Sequence, residues 1–121
     1  MKLRTWGSAA LLLPALLYAS GCHSYHIETT VENRTGGEIR LLEVDYPSAS
    51  FGSDSLAAGS TMHYRFQVRG EGPLKVLYTG SDGHQQQIDG PAVAEGQEGR
   101  LQIVLLPAGK AEFHPELSPR R

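Results

Sequence analysis

Cys22 is the only thiol in the chain, and it closes a hydrophobic run, LLYASGC. A thiolate acts as nucleophile or metal ligand only when a neighbour activates it or further ligands join it. A disulfide within one chain is excluded by the count. The other residue types able to do chemistry are scattered. His63, Asp82 and His84 are an imidazole and carboxylate set suited to zinc or copper, the two histidines on neighbouring extended segments and Asp82 in the turn before His84. Glu43 and Asp45 stand two apart, on one face of an extended segment, where a pair of acids could do general acid–base work if a cleft raised one pKa. The serines cluster in ASFGSDSLAAGS, which has no nucleophile elbow. No H-E-x-x-H, EF-hand or phosphate-loop pattern occurs.

The surroundings of Cys22 point to a different use of its sulfur. Lys2 and Arg4 precede an apolar stretch from Ala9 to Tyr18, followed by the small residues Ala19, Ser20 and Gly21. This is the three-part layout of an export signal. The stretch is shorter than the roughly 20 apolar residues a membrane span needs, and Pro14 interrupts it. Ala19-Ser20-Gly21-Cys22 resembles the lipobox of bacterial lipoproteins. That resemblance implies cleavage between Gly21 and Cys22 by signal peptidase II and a diacylglyceryl group on the Cys22 sulfur. It also implies a membrane partner reached through covalent lipid, since two or more acyl chains anchor stably where one does not. His23 stands where an aspartate would favour retention at the inner membrane, which leans the expected address to the outer membrane, facing the periplasm. The resemblance covers the signal segment and carries no activity onto the remainder.

Cleavage there takes 21 of the 121 residues and two of the eleven basic side chains, leaving 100 residues with nine basic and thirteen acidic groups. That is the size of one domain. The acidic balance gives no basic patch for nucleic acid. The expected organisation is a signal peptide at 1–21, a lipidated tether at 22–24, a folded domain at 25–114 and a flexible tail at 115–121.

The elements that must position these side chains read as strands. Ile27, Thr29 and Val31 alternate with polar residues, as do Met62, Tyr64, Phe66 and Val68, then Leu74, Val76 and Tyr78, then Leu101, Ile103 and Leu105. In EIRLLEVDY the apolar phase switches near Leu41, which predicts a β-bulge. HQQQI reads as a polar edge strand after the GSDG turn, and KAEF as a short last strand after Pro107–Gly109. NRTGG predicts a tight hairpin between the first two strands, with the Asn33-Arg34-Thr35 sequon read as turn chemistry, and RGEGP predicts another hairpin connection. ASFGSDSLAAGS reads as a loop that holds Phe51, either plugging the end of the fold or presented to a partner.

About seven short strands with no sustained helical period predict an all-β fold, a small antiparallel β-sandwich of immunoglobulin-like or transthyretin-like kind, with a small closed barrel as the alternative. The functional expectation is a membrane-anchored, non-enzymatic interaction or envelope-structural module without a cofactor, engaging a protein partner by strand addition along His84 to Ile88 or through Phe51. The alternative is a periplasmic metal- or ligand-binding protein using His63, Asp82 and His84.

Overall fold

The computed structural model describes residues 25–118. Gly21, Cys22 and the tether therefore lie outside the described residues, as does the end of the chain from 119 onward. Eight strands follow one another: β1 (Ile27–Asn33), β2 (Ile39–Tyr46), β3 (Ala49–Leu56), β4 (Thr61–Phe66), β5 (Glu71–Thr79), β6 (Gln85–Ala94), β7 (Glu98–Leu106) and β8 (Lys110–Ser118), with a 3-10 turn at Pro107–Gly109 before the last. They form two four-stranded sheets, β4-β1-β7-β8 and β3-β2-β5-β6. All pairings are antiparallel except β1 with β7.

The two sheets face each other as a β-sandwich, because each strand turns one apolar face inward. Ile27, Val31, Phe66, Leu101, Ile103 and Leu105 come from the first sheet; Ile39, Leu42, Val44, Leu74, Val76 and Tyr78 come from the second, and all are buried. Both sheets have free edges, so the fold is no closed barrel. In the immunoglobulin order the first strand pairs with the second. Here β1 pairs with β4 and β7, so the strand order is not the immunoglobulin one.

Four details depart from the sequence reading. NRTGG is a crossing between sheets rather than a hairpin: β1 and β2 lie in different layers, so that the apolar faces of both can meet across the core. Gly36, at φ +95°, supplies the left-handed residue that either kind of turn would use. The RGEGP segment likewise carries the chain between sheets, with Gly72 and Pro73 already in β5. Pro73 lies beyond the β2–β5 ladder, which begins at Lys75, and beside a register shift in the pairing of β5 with β6. The segment read as a serine-rich loop is the eighth strand, β3. Finally, β8 stays laddered to β7 through Ser118, past His114 where fraying was expected.

Asn33 ties the turns at one end of the sandwich. It is fully buried. Its Nδ2 donates to the carbonyls of Gly37 at 2.8 Å and Leu56 at 2.9 Å. Its Oδ1 accepts from the backbone N–H of Thr35 at 3.0 Å and the Thr35 hydroxyl at 2.7 Å. Its main chain bonds Ser60 and Gly59 in the β3–β4 connection. The sequon asparagine is thus committed to turn structure, as its composition suggested. Truncation would leave the Gly37 and Leu56 carbonyls without this donor, at about 1–3 kcal/mol for each buried group left unmet. Asn33→Ala is expected to lower unfolding stability by about 3 kcal/mol, read as a shift of the urea midpoint with an unchanged slope.

Candidate functional site

The candidate metal ligands do not converge. Asp82 and His84 share the β5–β6 turn, where the carboxylate accepts from the His84 backbone N–H and contacts ring Nδ1, both at 3.0 Å. These contacts hold the Asp82 carboxyl below its usual pKa range, the backbone hydrogen bond first. His63 lies on β4, an edge of the other sheet. The β4 edge lies over β3, whereas the β5–β6 turn belongs to the side where β6 meets β8. Among the described residues no three His, Cys, Asp or Glu side chains are grouped to hold a metal ion.

Phe51 is placed in the core, 7% exposed, and not in a loop. It stacks on Tyr64 with ring centroids 4.2 Å apart and planes 10° from parallel, and sits 5.6 Å from Phe66. Tyr46 completes the group, 4.3 Å from Phe66. Tyr46 and Phe51 come from one sheet and Tyr64 and Phe66 from the other, so the four rings clasp the β3/β4 side of the sandwich. Tyr64, expected inside, is 43% exposed and forms the outer leaf of the stack. On the opposite side Phe113 of β8 closes over Gly90 of β6, where a Cβ would come within 2.9 Å of the ring. Of the two roles open to Phe51, presentation to a partner is therefore replaced by closing the fold.

Glu43 and Asp45 do share a face, the outer face of the β3-β2-β5-β6 sheet, and they interact. The hydrogen bond between the two carboxyl groups, together with the charge of Asp45, holds the Glu43 pKa above its ordinary value. Glu43 lines an open hollow on that face, and Asp45 stands outside its lining. Their neighbour Leu41 is the residue that sequence reasoning located but did not value: the bulge is present, between Arg40 and Glu43 against β5, and it turns Leu41 outward to 65% exposure. The switch of apolar phase was the signal. What it left unread was that the switched residue would be presented to solvent.

The outer face of the other sheet is filled by matched charges. Arg65 on β4 pairs with Glu28 on β1 at 3.3 Å, and Glu28 faces Arg100 and Arg100 faces Glu116 in register. Nothing in that row calls for a ligand. The face around Leu41 is the better candidate, with exposed apolar surface beside carboxylates.

No family model matches this chain, and no curated protein matches it. Among solved structures it is similar to the NMR structure of a protein from Eubacterium rectale, 11% identical, with a TM-score of 0.55 over 78% of this chain and 93% of that one. At that identity the likeness concerns the fold alone, and it agrees with the two-sheet architecture.

Phe51→Ala is expected to cost about 3–5 kcal/mol, as truncation of a buried ring does, and to shift the unfolding midpoint accordingly; a residue reserved for a partner would leave stability unchanged. For Glu43, carboxyl carbon shifts followed by NMR should titrate above the ordinary glutamate range and return to it in Asp45→Ala. Because the native state holds this proton more tightly than the unfolded chain, its contribution to stability is present below the ordinary glutamate pKa. It is lost as pH rises through the higher native value.

Proposed function

We propose that this chain is a lipid-anchored, non-enzymatic interaction module of the bacterial cell envelope, held through Cys22 at the periplasmic face of the outer membrane. The observation that carries this reading is the Ala19-Ser20-Gly21-Cys22 run, with the sole cysteine at the position where lipidation would consume the thiol. A free thiol in an oxidising compartment would otherwise be a liability.

The strand order supports the same reading. The first strand begins at Ile27, five residues beyond Cys22. Five residues of fully extended chain reach at most about 18 Å, so an anchor at Cys22 keeps the domain close to the bilayer. Ile27 lies beside Phe66 and Gly99, and Glu98 beside Ser118, at one end of the first sheet. The same end gathers the Pro47-Ser48 turn and the connection around Gly70, whose N–H donates to Glu95 at 3.1 Å. On this reading that end faces the membrane. The end tied by Asn33, with Asp82 and His84, faces away from it, and the outer faces of both sheets stay open to partners. The alternative of a periplasmic metal-binding protein loses its basis with His63 on the other sheet. Of the carboxylate pair only Glu43 lines the open hollow on its face, so the two acids do not converge on one site as paired acid–base catalysis requires.

Intact-mass analysis of the protein isolated from membranes should find Cys22 as the first residue, carrying acyl chains. Cys22→Ser should appear in the soluble fraction. A mature protein that begins elsewhere, or begins at Cys22 without lipid, overturns the proposal.

A further inference from the structure

Leu41 is a poor choice for its position on two counts. Its φ is +52°, in the left-handed region that a leucine side chain disfavours and that glycine or asparagine enters far more readily. Its side chain is also 65% exposed, although both Ile39 and Leu42 are buried. Burying those two, three positions apart on one strand, explains why a bulge is needed. It does not explain a leucine in the bulge: a glycine or asparagine there would relieve the backbone and expose no apolar surface.

The surroundings give the leucine a use. Its side chain stands between two hollows on the outer face. One, of about 260 Å³, is lined by Leu77, Thr79, Gln85 and Gln87. The other, of about 480 Å³, is lined by Glu43, Ser50, Gly52 and Asp54. Gly52 lets its strand lie close to β2 beside the second hollow, since a Cβ there would lie 1.9 Å from the Leu42 carbonyl oxygen. The charge around this ridge is unbalanced. Arg40 is taken by Glu38 at 3.4 Å, and Lys75 stands in register between Asp45 and Asp89. Among the described residues Glu43 and Asp54 pair with no cation.

We propose that the outer face of the β3-β2-β5-β6 sheet around Leu41 is a docking surface for a segment of a partner protein that sets an apolar side chain next to lysine or arginine. The apolar group lies against Leu41 in a hollow and the cation meets Glu43 and Asp54, so that burial and charge complementarity act on neighbouring atoms. This inference rests on the reading of the chain as an interaction module and names the chemistry of its partner.

The test uses the mature protein as isolated from whole cells, whether or not it fractionates with membranes, with backbone amide shifts followed by NMR during titration. The probe is an octapeptide carrying one leucine between two lysines in a glycine and serine background. Shifts are expected at Glu43, Gly52 and Leu77 and not at His114 on the other sheet. Leu41→Asn, and replacement of the peptide leucine by serine, should each weaken binding at least tenfold. The double variant Glu43→Gln, Asp54→Asn should weaken it at least threefold and flatten its salt dependence. Leu41→Asn should unfold at the same or a higher urea concentration than the parent, which separates lost docking from lost fold. No shifts at millimolar peptide, equal binding by all variants, or shifts centred on the His114 face overturn the inference. The mass of the mature N-terminus reports the anchor independently, so failure of either reading is seen without the other.

Discussion

The carboxamide of Asn33 sits at the last residue of β1, where three chain segments must be held together without a ladder to hold them. It donates toward the β1–β2 crossing and the end of β3, and accepts from Thr35 inside the crossing itself. Its backbone meanwhile binds the β3–β4 connection, and the next N–H, of Arg34, reaches the Leu105 carbonyl at 2.8 Å. One side chain thus joins parts of both sheets at the point where their hydrogen-bonded edges give out. An aliphatic residue could fill the space but would leave those carbonyls dry. The sandwich faces can meet in register because this end is fixed.

From that fixed end the two open sides close by different means. Stacked and tilted rings shut the β3/β4 side, and Phe113 against a glycine shuts the other. Inside, nearly every buried group is apolar; among the described residues the Thr29 hydroxyl is the one buried side-chain polar atom without a partner. The bulge in β2 belongs to the same demand for filling, as Ile39 and Leu42 both enter the core. Its consequence appears on the outside, where the two sheets differ: one outer face is laced with opposed charges, and the other carries a leucine among uncompensated acids.

Alternation made most of the fold legible. The runs through Ile27, Phe66, Leu74 and Leu101 declare their inner faces, and the broken phase of EIRLLEVDY declares its bulge. β3 was hidden because ASFGSDSL has two core residues, Phe51 and Leu56, separated by an odd step, with small turn-forming residues between them. Strand order was hidden for another reason: glycine at positive φ serves a hairpin and a crossing between sheets equally well, so NRTGG and RGEGP specify that the chain turns and not which layer it enters. For the candidate site, the acids were legible as a pair because they stand two apart. His63, Asp82 and His84 were grouped by residue type, and type says nothing about which edge of which sheet a residue occupies.

The parallel pairing of β1 with β7 has a temporal consequence. Ile27 lies against Gly99, about seventy residues away, and β1 occupies an interior position in its sheet. One edge of the first strand therefore gains its partner only when nearly the last has been supplied. Contacts of such long separation slow the search for the native state. That sheet is not built outward from the beginning of the chain; it is completed around a strand made early and paired on its second side late.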